Sequence, residues 1–281
     1  MGSEMCIRDS LNIVLDPLFI FGLLGFPRLG IAGAALATVI SIAYMVPLEL
    51  IFLKRIDLSP KISMFRYVST ILKLGAPAAA ERLVFAIGNN LYIAAISRCG
   101  TIALAAHQVG LRIESFIYLP GFAFSIASAS LVGQRIGADD IDGAKQIGLE
   151  AAKLCFLFMG LLGISVALLS RLIVEPFSPS VSVAELASLY LILAGLSEPG
   201  LALAMTLSGG IRGGGNTLIP MVINVLCLYL FRVLPANILV EIMGVIGAWI
   251  AMFIDVYIRG SIMLLLYLKA FHRLVKKIVH S

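Results

Sequence analysis

Charge is what this chain has least of. Only 13% of its 281 residues are Asp, Glu, Lys or Arg, while 60% are hydrophobic. Soluble domains carry about 25% charged residues, so a soluble globular fold is excluded and an integral membrane protein is implied. Period-two alternation is also lacking. The apolar runs are too long, and hold too much internal Gly and Pro, for the tilted strands of a membrane barrel. The four cysteines, Cys6, Cys99, Cys155 and Cys227, have neither disulfide nor zinc spacing. Cys155 and Cys227 lie in apolar runs, where a thiol serves as a small apolar filler. No nucleophile constellation, metal-ligand cluster or nucleotide motif is present. Residues 133–140 and 212–217 are glycine-rich, but they read as helix ends and tight turns rather than phosphate cradles. An enzyme and a resident cofactor are therefore not expected. The formal charge of +5 points to no nucleic-acid partner, because Lys and Arg in a membrane protein mainly record topology.

What the chain does have is long apolar segments. A helix needs about 20 apolar residues to cross a bilayer, and eight segments qualify, at about 11–25, 30–54, 74–98, 101–133, 143–174, 183–211, 216–234 and 244–270. The polar residues 1–10 look like a non-native or unstructured leader outside the fold. Residues 55–73 place Ile62, Phe65, Val68 and Leu72 at helical spacing with Lys61, Arg66 and Lys73 between them, the pattern of an amphipathic helix lying along the membrane surface. With eight crossings, thirteen Lys and Arg fall on the side of the C-terminus and four, Arg28, Arg98, Arg171 and Arg232, on the other. The positive-inside rule then puts the C-terminus in the cytoplasm.

An internal repeat is visible. GIAGAALA at 30–37 matches GVIGAWIA at 244–251, and Asn12 and Asn224 precede them at similar spacing. If the two pairs of helices are equivalent, the repeating unit is six helices. Residues 11–54 are then the last two helices of a first lobe, 74–281 a complete second lobe, and about four helices precede Leu11 in a twelve-helix whole.

Ionisable groups at membrane depth are expensive, and they usually face a partner or a water-filled path. Glu81 shares a helical stripe with Phe85, Asn89 and Tyr92, a carboxylate, an amide and aromatics fit to line a cavity for a cation. It is the one residue read as a candidate Na⁺ ligand, with pairing to Arg82 as the plainer alternative. Glu114, half-way along its segment, shares a face with His107 and Tyr118, while Arg112 points away. A carboxyl at that depth can trade a proton, or it can pair with an arginine. Pro120 is expected to bend this helix. Glu198 directly precedes Pro199 and is expected at a break in its helix, where transporters expose backbone to ions. Asp255 and Arg259 lie one turn apart and suggest an ion pair, with Asp255 kept as a cation-coupling candidate. Arg82 or Arg112 is expected to tie the cytoplasmic ends of two helices to a carboxylate.

Several stretches together resemble bacterial MATE (multidrug and toxic compound extrusion) transporters. They are Gly75-x-Pro77-x-x-x-Glu81, Ala105-Ala-His-Gln108, Arg112-Ile-Glu-Ser115, the run from Pro120 to Ala127, Val132-Gly-Gln-x-x-Gly-Ala-Asp139 and the Arg212–Thr217 turn. The resemblance implies an all-α polytopic fold of two six-helix lobes in the inner membrane. It implies export of cationic organic compounds in exchange for H⁺ or Na⁺, with Glu81 at an acidic position of the first C-lobe helix, and a monomer once both lobes are present. Exporters of lipid-linked oligosaccharides share the overall fold but call for a more cationic cavity. A truncated membrane scaffold without transport is the remaining alternative.

Overall fold

The structure, a computed structural model, describes residues 2–25, 27–55 and 64–279. Among these there are helices and turns and no strand. The helices are α1 (Gly2–Phe21), α2 (Ile31–Arg55), α3 (Met64–Ser97), α4 (Thr101–Gly137), α5 (Ile141–Leu168), the short α6 (Ser170–Val174), α7 (Val181–Gly213), α8 (Leu218–Cys227), α9 (Leu234–Met243) and α10 (Val245–Val279). A π-helical segment, Leu228–Val233, joins α8 to α9 without a break. Five continuous helices among the described residues are long and apolar enough to span a bilayer: Thr101–Gly137, Ile141–Leu168, Val181–Gly213, Leu218–Met243 and Val245–Val275.

Several boundaries differ from those read in the sequence. Helix α1 starts at Gly2, so the polar leader continues the first helix instead of standing apart from it. Helix α3 starts at Met64, which makes residues 64–73 part of the long helix and not a separate surface helix. No Gly or Pro interrupts that stretch to stop a helix. Residues 56–63 of the expected linker lie outside the described residues. Helices α4 and α7 run unbroken through Pro120 and Pro199, since a proline within a membrane bundle costs one backbone bond that packed neighbours can compensate. The irregularity lies instead in the seventh segment. It does not end near residue 234 but passes through the π-turn to Met243.

The chain forms two compact units, Met1–Ser69 and Thr70–Ser281. The larger is built around α7, which packs against α4, α5 and α10. Small residues set these approaches. A Cβ on Gly163 of α5 would lie 2.2 Å from the carbonyl oxygen of Gly195, one on Gly213 2.1 Å from that of Ala129 in α4, and one on Gly260 of α10 2.5 Å from that of Gly200. Close backbone approach through small residues gives membrane helices the packing that lipid cannot drive by exclusion. Asp140 caps α5, its side chain accepting from the Gly143 amide at 2.8 Å and from Arg135 at 2.8 Å. The amide bond first, and then the Arg135 guanidinium, hold this exposed carboxyl below its usual range.

The two glycine motifs have matching geometry within their own units. Gly30 and Gly244 both open a helix with positive φ, 57° and 63°. Three residues on, a Cβ on Gly33 would lie 2.4 Å from the carbonyl of Phe19 in the preceding helix, and one on Gly247 2.5 Å from that of Leu239. The sequence likeness is therefore a likeness of helix-pair geometry, in which a left-handed entry is followed by a second glycine against the helix before it.

Candidate functional site

Four buried side chains of the larger unit, Tyr92, His107, Glu114 and Tyr190, meet between α3, α4, α7 and α10. Glu114 on α4 is 7% exposed, and the hydroxyl of Tyr190 on α7 donates a short hydrogen bond to its Oε2. Tyr190 is wholly buried. Its ring stands edge-on to His107 at 5.0 Å and to Trp249 at 5.3 Å. His107 in turn meets Tyr92 edge-on at 5.8 Å, and its Nδ1 is buried with no hydrogen-bond partner among the described residues. Tyr92 donates its hydroxyl to the carbonyl of Ala248 at 3.0 Å.

Across this aromatic layer lies a buried set of charges. Asp255 is wholly buried; its Oδ2 accepts from Arg232 Nε at 2.9 Å and from Arg259 Nη2 at 2.7 Å, with Arg232 Nη2 also 2.9 Å away, while its Oδ1 has no hydrogen-bond partner among the described residues. The Arg232 guanidinium carbon lies 5.8 Å from the Tyr92 ring centre, in cation–π range. Arg232 sits within the π-turn, a helical irregularity frequently found at functional sites.

Glu81 stands apart from this cluster. One guanidinium nitrogen of Arg212 donates to both of its oxygens, at 2.6 and 2.8 Å, and Asn224 adds a bond of 2.9 Å. The carboxylate thus ties α3 to the end of α7 and to α8, and its partner is not the neighbouring Arg82. Arg82 and Arg112 are both exposed, and neither has a carboxylate within salt-bridge distance among the described residues, so the expected tie through either is not formed. Arg112→Ala is accordingly expected to leave stability within about 0.5 kcal/mol, checked by thermal unfolding in detergent.

Glu198 is wholly buried on α7, and neither of its oxygens has a hydrogen-bond partner among the described residues. Its Cβ faces Gly163 of α5. The four expected cavity residues do not share one surface. Tyr92 and the partly buried Phe85 belong to the main apolar core, whereas Tyr118 packs in a separate cluster around Cys155, Met159 and Ala202 and edge-on to Phe122. Asn89 is half-buried on α3.

Tyr190, Arg212, Asn224 and Arg232 take parts that sequence reasoning did not assign. For Arg232 the signal was a lone arginine flanked by apolar residues, which had been counted as a loop charge. The placement of Tyr190 yields a test. A Cβ on Gly110 would meet the Tyr190 ring at 2.1 Å, and His107 and Trp249 leave that ring nowhere to go. Gly110→Ala should cost about 1–3 kcal/mol from overpacking and move the hydroxyl off Glu114. Thermal unfolding of the variant in detergent checks the cost.

Comparison with known proteins places this arrangement. The chain is 32% identical over 271 residues to the probable multidrug resistance protein NorM of Thermotoga maritima, an alignment covering 93% of this chain and 58% of the relative. It is 29% identical over 237 residues to a FAD transporter of Shewanella oneidensis, covering 82% of this chain and 52% of that one. The chain thus spans under two thirds of the length of these relatives. The fold is that of the Vibrio cholerae MATE transporter VcmN in its bent form, with TM-score 0.83 at 22% identity, covering 97% of this chain and 62% of that one. A multidrug resistance MATE transporter in an outward-facing conformation gives TM-score 0.84 at 22% identity, with the same coverage. The MatE family model matches residues 77–238, and the chain, a multi-pass helical membrane protein, belongs to that family.

Proposed function

We propose that the protein containing this chain is a secondary antiporter of the inner membrane that exports cationic organic compounds in exchange for H⁺ or Na⁺, with its C-terminus in the cytoplasm. In this reading Thr70–Ser281 is the second of two lobes, and Met1–Ser69 holds the end of the first. The observation that carries the proposal is the buried Glu114, held by Tyr190 in a polar cluster at membrane depth. Such groups are maintained at membrane depth for ion pathways and relays. Exchange needs a carboxyl that binds the coupling cation or favours the substrate-loaded state, but not both at once. Each ligand then biases a different orientation of the lobes by its difference in affinity for the two.

Glu198, also buried, is the second candidate. Glu81 and Asp255 already hold guanidinium partners, so their role in this reading is to join helices. The NorM relatives, named for multidrug resistance, support the substrate class. The test is efflux of a fluorescent organic cation from vesicles holding the complete two-lobe protein, under an imposed pH or Na⁺ gradient. Gradient-driven efflux is the expected result, and the absence of efflux under either gradient would reject antiport.

A further inference from the structure

We propose that Cys155, Met159 and Met205 form a binding site for one soft monovalent metal ion, Cu(I) or Ag(I), where α5 and α7 meet α4. The site shares no residue with the exchange proposed at Glu114 and stands independently of it.

Cys155 and Met159 lie one turn apart on α5, a spacing that puts both side chains on one face of the helix. The Cys155 thiol is wholly buried and donates to the Met159 Sδ at 3.4 Å. Met205 reaches the same place from α7. A Cβ on Gly121 of α4 would lie 2.9 Å from the Met159 Sδ and 3.0 Å from the Met205 Sδ. Both thioethers therefore turn their sulfur towards one point, beside a residue that has no side chain to fill it. The Ser125 hydroxyl donates to the Met205 carbonyl at 2.9 Å and holds α7 against α4 at this level. Three sulfurs from two helices are thus gathered in one place.

This donor set selects its ion. Thiolate and thioether sulfurs are soft, polarisable ligands that suit Cu(I) and its heavier congener, whereas Ca²⁺ and Mg²⁺ call for several oxygens. The surroundings select its charge. Tyr118, Phe124 and Leu201 pack around the sulfurs and make the site largely apolar. On binding, the S–H bond of Cys155 breaks and its proton leaves to solvent, while the sulfur keeps the electron pair that forms the bond to the metal. No oxidation state changes. A thiolate with a monovalent ion is neutral and tolerates burial, but a divalent ion would leave a net positive charge among apolar side chains. Met205 is only half-buried, so the ion can be received at that sulfur first.

The test is a competition for Cu(I) between the purified chain in detergent, kept free of oxygen, and bicinchoninate, a coloured chelator that a single thiol does not strip. The chain should remove one equivalent of Cu(I), and X-ray absorption of the bound metal should show a shell of sulfur alone. Met159→Leu and Met205→Leu conserve volume and keep the fold. Each should weaken binding about tenfold or more, since losing a group that merely supports a metal ligand already costs about that much. Cys155→Ser should abolish uptake, while Cys99→Ser and Cys227→Ser should leave it unchanged. Failure of the unaltered chain to take Cu(I) from the chelator overturns the proposal, and the three sulfurs are then core packing. Uptake that both methionine variants match, or a metal shell containing nitrogen or oxygen, overturns it as well, whether or not Cys155→Ser folds.

Discussion

Asp255→Ala is expected to destabilise the chain by about 3–5 kcal/mol, the usual cost of breaking a buried ion pair. The reason is what the substitution leaves behind. Arg232 and Arg259 have side chains 12% and 7% exposed, and both place their donors on the same Asp255 oxygen. Without it, two guanidiniums lie in an apolar lobe with neither water nor carboxylate beside them. Asp255→Asn keeps the shape and should cost nearly as much, because the missing element is charge. Arg259→Gln and Arg232→Gln leave a one-to-one pair behind, and each should cost distinctly less than the loss of Asp255. Thermal unfolding in detergent, followed by Trp249 fluorescence, gives the ranking. If Asp255→Ala unfolds at the same temperature as Arg259→Gln, the two arginines do not depend on a shared partner.

Glu114→Gln should give the opposite profile, near-normal stability with coupled transport lost. The amide oxygen can still accept from Tyr190, so the change exchanges a charge-assisted hydrogen bond for a neutral one, a difference of about 1 kcal/mol. What disappears is the ability to bind and release a proton. Driving a two-state lobe arrangement almost fully from one side to the other takes about 5.5 kcal/mol of differential affinity, and a side chain that cannot titrate contributes none of it. Efflux from vesicles holding the complete protein should fall to the level of protein-free vesicles under a pH gradient, while the variant still inserts and migrates as a folded species. Efflux at the unaltered rate would move the exchange to Glu198 or to the first lobe.

Apolar length and the positions of glycine made the helical architecture legible, because a bilayer imposes its thickness on every span. The repeat was legible for a similar reason, since the left-handed entry at Gly30 and Gly244 and the close approach at Gly33 and Gly247 both demand glycine at fixed spacing. Partners distant in sequence were not legible. Nothing local to Glu81 announces Arg212, 131 residues away, so the adjacent Arg82 looked like the natural partner. Tyr190 was passed over as one apolar residue among many in α7, although it is the side chain that holds Glu114. Arg232 falls at the end of the seventh apolar segment and reads as a loop charge, whereas a π-turn carries the helix past it and turns the arginine inward to Asp255. Arg232 is affordable there only because the fold supplies a buried carboxylate, a condition that hydropathy cannot encode.

The most direct measurement is the infrared carboxyl band of the chain, recorded as a difference spectrum between low and high pH in detergent or lipid. Protonation of a buried glutamic acid adds a C=O stretch that its environment sets apart from those of exposed carboxyls. The account predicts a titrating band that disappears in Glu114→Gln and shifts in Tyr190→Phe, where the hydroxyl donor is gone. A pH difference spectrum unchanged by Glu114→Gln would show that this carboxyl does not exchange a proton, and would contradict the central claim.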